Sequence, residues 1–365
     1  MPTVFVDLLQ YTGTKGGIEI YARELYGAIG KLDTGMEFIG YASRELAKTG
    51  ATWFPGRVID SGISGENRLV WAWGELVSVG LAAAKNHADL IHCPAMFGPL
   101  RSKAPVVISV HDLLYFSHPH LMQTKLFTRP VRWMEKRGAA NATRLITISE
   151  YSAAAIRRYL RFRDDAIDVI PLAGRATAST MAAAPRRSDL FLAIGQRSPY
   201  KDFETIVRGW AEIPHEKRPR LVITGSHGDD PLIPLVTSLG LLDDIELKEW
   251  VTTEELGRLF TTATALIDST LATGFSLPTL EAMAIGLPVL LADTEVFREV
   301  GNGAAEYFAS GSPADLALAV QRLAANEDRQ RELSELGRLR ASSFSWERVA
   351  TETIESFSKA LATGR

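Results

Sequence analysis

Two successive runs of alternating strands and helices constrain the fold of this chain more than any other feature. In the first run, short apolar strands are predicted at residues 3–9, 36–41, 89–92, 105–110, 144–148 and 167–170. In the second run they are predicted at residues 190–195, 220–224, 245–247, 263–268, 289–292 and 304–308. Helical patterns lie between most of these strands, and strands that alternate with helices form a parallel sheet covered on both faces. The sequence therefore predicts an α/β fold with two Rossmann-like domains.

A segment without hydrophobic periodicity separates the two runs. Residues 173–187, AGRATASTMAAAPRR, are small, polar and unpatterned, as is typical of an interdomain linker. We therefore expect one domain at residues 1–173 and a second at residues 174–345. A last helix, residues 346–365 with Ser345 as its cap, is expected to return to the first domain. Parallel sheets bind ligands beyond the carboxyl ends of their strands, so we expect the two domains to face each other across a binding cleft.

Composition excludes several classes of protein. The chain is 46% hydrophobic and 23% charged with a formal net charge of −3, which gives no footprint of nucleic-acid binding. Cys93 is the only cysteine, so disulfides within the chain and cysteine-based metal sites are excluded. The first residues lack the basic segment and cleavage site of a signal peptide, and no apolar run approaches the roughly 20 residues that span a bilayer. We therefore expect a cytoplasmic protein.

The stretch from residue 268 to residue 293 has the pattern of an anion site. A strand ends at Asp268, a loop containing Gly274 follows, and a helix is predicted to begin at Pro278 and to end before Gly286. The first backbone N–H groups of such a helix and its dipole attract a phosphate. Glu281, one turn inside the helix, adds a carboxylate that could accept hydrogen bonds from ribose hydroxyls. The alternative is a strand, loop and helix with no ligand, which also occurs in α/β proteins.

Two cations follow the first strand of the second run. Arg197 and Lys201 lie in the segment GQRSPYKD, where they could reach the same ligand as the Gly274 loop. Together with helix N–H groups, two cations would neutralise a diphosphate leaving group without a metal. The alternative is an ordinary solvated loop. No cluster of carboxylates or histidines has metal-ligand spacing, so no metal site is predicted.

The first run carries two further candidate positions. His111 follows the strand at residues 105–110 and could hydrogen-bond a sugar hydroxyl or polarise a reacting group, unless Asp112 satisfies it. Gly16 and Gly17 follow the first strand in a Gly-rich turn that does not fit the G-x-G-x-x-G fingerprint. This mismatch argues against a hydride-transfer enzyme of the dinucleotide-binding type.

Residues 100–165 contain more basic than acidic side chains. If one helix is continuous there, four cations share a face: Lys125, Arg129, Arg132 and Lys136. Pro130 could make that helix begin later. Such a face could contact anionic lipid headgroups at the inner face of the cell membrane; the alternative is a merely solvated face.

Together these motifs resemble the retaining family 4 glycosyltransferases of GT-B fold over nearly the whole chain. The motifs that carry the resemblance are Gly16-Gly17-Ile18, His111-Asp112-Leu113 followed by His118-Pro119, residues 149–152, the loop of Arg197 and Lys201, the run from Gly274 to Val289, and Phe344-Ser345-Trp346-Glu347. Their order and spacing along the chain make the resemblance specific.

The resemblance implies a nucleotide-sugar held mainly by the second domain and an acceptor held mainly by the first. It places Glu281 on the ribose, Arg197 and Lys201 on the diphosphate, and His111 on the transferred sugar. Gly16 and Gly17 would pack near the phosphate and the acceptor. Further donor contacts are implied at Val251, Thr273, Gly274, Phe275, Ser276 and Leu277.

The resemblance further implies retaining, metal-independent transfer of a hexose to a saccharide or lipid-linked saccharide acceptor, with no cofactor. We expect mannose from GDP-mannose as the donor, in the assembly of bacterial surface polysaccharide. Two positions depart from the family pattern: Thr273 stands where a glutamate is usual, and Gln196 stands where an arginine is common. The alternatives are a UDP-sugar-dependent transferase, a catalytically silent homologue that binds a nucleotide-sugar, and an epimerase of the same fold.

Overall fold

A computed structural model describes residues 1–13, 16–122, 125–175 and 189–363. Within these residues the chain forms two compact units. The first comprises Met1–Pro119, Thr124–Leu172 and Ser345–Arg365, and the second comprises His120–Gln123 and Ala173–Phe344. Residues 176–187 of the predicted linker lie outside the described residues.

The described part of the first unit is built on a seven-stranded parallel sheet with the strand order β3-β2-β1-β4-β5-β6-β7. The strands are β1 (Thr3–Leu8), β2 (Glu37–Ala42), β3 (Arg57–Asp60), β4 (Leu90–Cys93), β5 (Val106–Val110), β6 (Arg144–Thr147) and β7 (Ile167–Val169). Strand β3 was not predicted, because this edge strand is short, charged at both ends and nowhere fully buried, so it lacks an apolar run.

Helices cover this sheet. They are α1 (Gly16–Ile29), α2 (Arg44–Thr49), α3 (Arg68–Trp73), α4 (Val79–Lys85), α5 (Leu114–Ser117), α6 (Lys125–Asn141) and α7 (Glu150–Ala155). Wider helical turns at Gly74–Ser78 and Ile156–Leu160 continue α3 and α7. Helix α6 begins at Lys125 and passes through Pro130, so the alternative of a later start is not observed. Pro130 is the sixth residue of α6, and the loss of its N–H removes one hydrogen bond near the beginning of the helix.

The described part of the second unit has a six-stranded parallel sheet with the order β10-β9-β8-β11-β12-β13. Its strands are β8 (Leu190–Ile194), β9 (Arg220–Ser226), β10 (Ile245–Glu249), β11 (Ala265–Asp268), β12 (Val289–Ala292) and β13 (Glu306–Phe308). The helices are α8 (Phe203–Glu212), α9 (Ile233–Ser238), α10 (Thr253–Thr262), α11 (Leu277–Ala284), α12 (Glu295–Gly301), α13 (Pro313–Ala324) and α14 (Glu327–Ser342).

The last helix, α15 (Trp346–Thr363), packs within the first unit. The Ser345 side chain accepts a hydrogen bond from the Arg348 N–H at 3.2 Å, as expected of a cap. Further along, Phe357 is fully buried with its ring centroid 4.9 Å from that of His92, and Lys359 pairs with Asp168 at 3.0 Å. No helix in the described ranges combines the length and the apolarity that a bilayer-spanning helix needs.

Each sheet has one place where the chain order reverses. In the first unit the reversal lies between β1 and β4, and in the second unit it lies between β8 and β11. The loops that leave the carboxyl ends of such a strand pair diverge and open a crevice where ligands of parallel sheets bind. These two positions therefore locate the candidate functional residues of each unit.

Candidate functional site

In the second unit, the two loops at the reversal are bonded to each other. One loop follows β8 and the other follows β11. Leu271 N–H donates to the Tyr200 carbonyl at 2.8 Å, and the Ser269 hydroxyl donates to the Lys201 carbonyl at 2.8 Å. Gly195 directly follows β8, and its φ of +146° is a conformation that residues with side chains rarely adopt. The two loops therefore form one fixed surface at the carboxyl edge of the sheet.

Lys201 places a positive charge on this surface that is available to bind an anion. Its stem lies close to Gly195, since a Cβ added there would come within 3.5 Å of Lys201 Cε. The Lys201 ammonium makes no ion pair or hydrogen bond with any residue that the structure describes. An ammonium without an internal partner can bind an anion at no cost in broken contacts.

Arg197 was expected to bind a diphosphate together with Lys201. In the structure it forms hydrogen bonds with residues of its own unit. Its Nε and Nη2 bond the Asp230 carboxylate at 2.8–3.1 Å, Nη1 donates to the carbonyls of Gly195 and Thr224 at 2.9 Å, and Nη2 also reaches Ile223 O at 3.2 Å. A guanidinium has five N–H donors, and these acceptors use all of them. Both side chains of the Arg197–Asp230 pair are only 6% exposed. In this arrangement Arg197 ties the end of β8 to β9, and its expected contact with a ligand stays a prediction.

Helix α11 begins at Leu277, one residue before the predicted start at Pro278. Ser276 is its cap: the Ser276 hydroxyl accepts from Thr279 N–H at 3.4 Å and donates to the Asp268 carboxylate at 2.8 Å. Pro278 lies in the first turn. Because proline has no N–H and the Thr279 N–H is bonded to the cap, the first turn offers fewer free backbone donors than the sequence suggested. The helix dipole remains, so the position still favours an anion.

The carboxylate of Glu281 is paired within the second unit. Glu281 is 2% exposed, and Arg175 donates two parallel hydrogen bonds to it, from Nε at 2.6 Å and Nη2 at 2.9 Å. The backbone at Gly174 also lies close to Glu281, since a Cβ added at Gly174 would lie 3.4 Å from Glu281 Cγ. A carboxylate has about four lone-pair positions, so Arg175 leaves acceptor capacity on Glu281. Arg175 was missed because the sequence placed it in an unpatterned linker.

Thr273 stabilises the shape of its own loop. Its hydroxyl donates to the Phe275 carbonyl at 2.6 Å and accepts from the Phe275 N–H at 3.4 Å. Gly274 is buried, and Phe275 packs against Phe344 with ring centroids 6.1 Å apart. The position that carries a glutamate in the resembling family thus carries a short hydroxyl side chain already used by the backbone.

The two neighbouring strands are followed by a pair of stacked aromatic rings that no sequence pattern predicted. His227 follows β9 and Trp250 follows β10, and their rings stack with centroids 5.4 Å apart and planes 16° from parallel. Val251, an expected donor contact, comes directly after Trp250 and is half-buried. Leu277, also expected to contact the donor, is the first residue of α11.

In the first unit, His111 lies at the carboxyl end of β5 with a fixed tautomer. Its Nε2 lies 2.9 Å from the Pro94 carbonyl, which can only accept, so Nε2 carries the proton. Burial lowers the pKa of His111, and the bond to Pro94 partly opposes that shift. The neutral ring therefore keeps Nδ1 as an acceptor for a hydroxyl. No hydrogen bond joins the described side chains of His111 and Asp112: His111 bonds the Pro94 carbonyl, and Asp112 accepts from the Leu114 N–H at 3.2 Å.

A buried hydrogen-bond chain lies behind His111. The Tyr21 ring meets the His111 ring edge-on at 4.6 Å, and Tyr21 Oη bonds Ser109 Oγ at 2.9 Å. Ser109 Oγ bonds His92 Nε2 at 3.0 Å, and His92 Nδ1 bonds Tyr26 Oη at 2.6 Å. Burial lowers the pKa of His92 to about 3. The sequence signal was present, since His92 and Ser109 are polar residues inside apolar strands.

A second unexpected feature of this unit is a buried carboxyl pair near the reversal. Burial raises the pKa of Asp7, the second-last residue of β1. Burial together with the Asp7 charge raises the pKa of Glu75 well above its usual value. Glu75 accepts hydrogen bonds from Gln10 at 3.2 Å and from Trp71 at 3.0 Å.

Among the described residues no group of three His, Cys, Asp or Glu side chains is placed to hold a metal ion.

Gly16 and Gly17 are the first two residues of α1. A Cβ added at either would meet no atom of the described chain within 4 Å. The packing of the unit therefore does not require glycine here, which leaves room for a ligand to approach the backbone. Their implied role near phosphate and acceptor stays a prediction.

Comparisons with known proteins match both halves of the chain to glycosyltransferase families. Residues 15–173 match the model of the family described as Glycosyltransferase Family 4, and residues 179–340 match that of Glycosyl transferases group 1. MMP alpha-(1->4)-mannosyltransferase from Mycolicibacterium hassiacum is 27% identical, over 77% of this chain and 73% of that protein. O-antigen chain mannosyltransferase B from Escherichia coli is 28% identical, over 75% of this chain and 76% of that protein. Sucrose-phosphate synthase from Thermosynechococcus elongatus shares the fold, with a TM-score of 0.76 at 19% identity over 100% of both chains.

Proposed function

The chain belongs to the group 1 glycosyltransferases of GT-B fold with a family 4 N-terminal part, and we propose on that basis that it transfers a hexose from a nucleotide-sugar to a saccharide or lipid-linked saccharide. The first choice of donor is GDP-mannose. The names of the two relatives, both mannosyltransferases, support this choice. A UDP-sugar is the alternative donor.

The observation that carries the proposal is the surface made by the two bonded loops of the second unit. It combines the Lys201 ammonium, which has no partner in the described ranges, with the N-terminal end of α11 and the buried carboxylate of Glu281. The diphosphate of a sugar nucleotide would bind Lys201 and the N-terminal end of α11, and its ribose hydroxyls would bind Glu281. Lys201 would bind the diphosphate without the help of Arg197, since Arg197 is fully used elsewhere.

The proposed chemistry follows from where charge develops. As the glycosidic bond to the nucleotide breaks, negative charge grows on the departing diphosphate, and Lys201 with the α11 dipole stabilises it more in the transition state than in the ground state. Transfer is retaining: the departing phosphate takes the proton of the acceptor hydroxyl on the same face. His111 acts as a neutral acceptor that orients a sugar hydroxyl through Nδ1. None of these steps requires a metal ion.

A panel of nucleotide-sugars tests the proposal. The protein is incubated with GDP-mannose, UDP-glucose, UDP-GlcNAc and UDP-galactose, each with and without candidate saccharide acceptors, and products are read by mass spectrometry. The proposal expects one donor to be consumed with release of its nucleoside diphosphate, and GDP-mannose is expected first. Calorimetry on the same ligands measures binding separately. If none of the donors binds or turns over, the proposed function is wrong.

Thr273 favours a second candidate, a homologue that binds a nucleotide-sugar without turning it over. Its hydroxyl is committed to Phe275, so the loop lacks the carboxylate usual in the resembling family. Under this candidate the donor panel shows binding with no transfer or hydrolysis. The variant Thr273→Glu then discriminates further, because a gain of turnover would mark the site as a weakened transferase site. Thr273→Gln is the control, since it matches the size of glutamate without its charge.

A further inference from the structure

The first unit has a large open groove that none of the proposed catalytic residues lines. Its volume is about 1150 Å³. Its walls come from α6 and from the helical turn Ile156–Leu160, and it extends from Phe116 past the start of β5 to Thr363 at the end of α15. We call this feature the basic groove, because its lining includes Lys103, Lys136, Arg158, Arg161 and Arg163.

The charges of the basic groove are not neutralised by neighbouring acids. The lining contains five cations and no aspartate or glutamate. Among the described residues only Arg163 has a carboxylate within ion-pair distance, that of Asp165 at 3.8 Å. The remaining four cations therefore stand around one concave surface without a countercharge, which costs free energy through mutual repulsion.

A second groove on the protein shows the opposite arrangement. In the second unit, a pocket of about 320 Å³ is lined by Lys248 together with Glu246 and Glu255. There Lys248 bonds both glutamates at 3.0 Å. Arg220 and Arg258 also line this second pocket, so it mixes acidic and basic side chains, whereas the charged lining of the basic groove is entirely cationic.

Aromatic rings hold two of the cations in place. Phe116 and Tyr159 stack on each other with centroids 5.6 Å apart and planes 28° from parallel. The Lys136 ammonium lies 5.5 Å from the Phe116 centroid, and the Arg158 guanidinium lies 5.2 Å from the Tyr159 centroid. Cation–π contacts fix the position of a charge while leaving its N–H donors free for a ligand.

The apolar part of the lining restricts the ligand further. Between the cations, the lining includes apolar side chains, among them the exposed Ala140 and the half-buried Leu160 and Phe162. A nucleobase would need an open ring to stack on, whereas Phe116 and Tyr159 already stack on each other. A ligand that fits both parts has a multiply charged anionic group and an apolar chain.

We propose that the basic groove binds an organic diphosphate, two linked phosphate groups esterified to an apolar chain. The diphosphate would lie among Lys136, Arg158 and Arg161, and the chain would lie along the apolar lining. Phosphate oxygens accept charge-assisted hydrogen bonds from Arg and Lys. The inference does not depend on the donor site, since every lining residue belongs to the first unit.

Isothermal calorimetry on the full chain tests the proposal with geranyl diphosphate, inorganic pyrophosphate and geraniol as probes. We expect geranyl diphosphate to bind at least about tenfold more tightly than pyrophosphate because of the apolar lining. The double variant Lys136→Gln, Arg158→Gln should weaken geranyl diphosphate about a hundredfold, roughly tenfold for each charge-assisted contact. The matched control is Lys31→Gln, Lys48→Gln, which removes two exposed cations of the same unit outside the groove, and it should bind like the parent protein.

Thermal unfolding of each variant shows whether a lost affinity reflects a lost fold. If the first double variant is unfolded, Lys103→Gln, Arg161→Gln replaces it, with the same expected direction. Equal affinity in the groove variants and the parent protein would overturn the proposal, as would an equal loss in the control. Co-sedimentation with vesicles of phosphatidylglycerol or phosphatidylcholine shows whether the groove binds a lipid surface instead of a free organic diphosphate. If the protein binds the anionic vesicles but not geranyl diphosphate, the ligand is a lipid surface and the proposed diphosphate site is rejected. A nucleotide-sugar that fails to bind, while geranyl diphosphate still binds, would reject the proposed function alone.

Discussion

Arg175 holds Glu281 by two parallel hydrogen bonds, 2.6 and 2.9 Å long, at the first turns of α11. The carboxylate is nearly inaccessible, with Glu281 only 2% exposed, whereas the Arg175 side chain is 25% exposed. The arginine is therefore the more accessible partner. A ribose that binds Glu281 either shares the carboxylate with Arg175 or displaces the guanidinium.

This pair gives a prediction for nucleotide binding. Glu281→Gln should weaken binding of the nucleoside diphosphate about tenfold or more, because a charged acceptor of ribose hydroxyls is lost. The same variant should bind the 2′,3′-dideoxy nucleotide as well as the parent protein does, since that ligand lacks the hydroxyls. Calorimetry on both proteins with both ligands measures the coupling. Equal losses for the two ligands would show that Glu281 does not contact the ribose.

Replacing Lys201 should reduce turnover rather than donor binding. Lys201→Ala removes the cation expected to stabilise the departing diphosphate, so kcat should fall by about 10²–10³-fold with a smaller change in KM. The control is Lys217→Ala, an exposed lysine in the turn before β9, which should leave both constants unchanged. Initial rates measured over a range of donor concentrations give kcat and KM for each variant. An unchanged kcat in Lys201→Ala would remove this residue from the mechanism.

Arg197 should matter for stability instead. Arg197→Ala leaves the Asp230 carboxylate buried without its partner, so the free energy of unfolding should fall by about 3–5 kcal/mol. Arg208→Ala is the control: Arg208 lies on α8, is 52% exposed and pairs with Glu204 at 3.7 Å, so its loss should cost less than about 1 kcal/mol. Urea unfolding measures both. A stable Arg197→Ala protein with lost nucleotide binding would restore the ligand role that the structure argues against.

His92 should make the stability depend on pH. Its pKa is about 3 in the folded protein and near 6.5 when solvated, so between these values the unfolded chain binds a proton that the folded protein excludes. The free energy of unfolding should therefore fall as the pH drops below 6.5, by up to about 1.4 kcal/mol per pH unit for one proton. His92→Gln should lower this slope by about one proton. Urea titrations at pH 4.5, 5.5 and 6.5 test it, and parallel pH profiles for the two proteins would contradict it.

Local patterns in the sequence were sufficient for most of the fold. Strand β12 was predicted at its observed bounds, Val289–Ala292, because four buried apolar residues stand between Pro288 and a polar loop. The start of α11 was predicted to within one residue, because an early proline is a local signal. Strand β3 was not, because an exposed edge strand has no apolar run to detect.

The roles of the charged residues depended on partners far away in the chain. An arginine after a strand has the same sequence pattern whether it contacts a ligand or an internal carboxylate, and only folding brings Asp230 to Arg197. The same holds for Arg175, which stands at the start of an unpatterned segment and yet binds Glu281. Lys201 differs from Arg197 by the absence of a partner among the described residues, which no sequence pattern could show.

A crystal structure with bound GDP-mannose, or with GDP, tests the central claim most directly. The account predicts the diphosphate within hydrogen-bond distance of Lys201 Nζ and the first turn of α11, with the ribose hydroxyls on the Glu281 carboxylate and Arg197 still on Asp230. A nucleotide bound elsewhere, with Lys201 and Glu281 making no contact to it, would contradict the account.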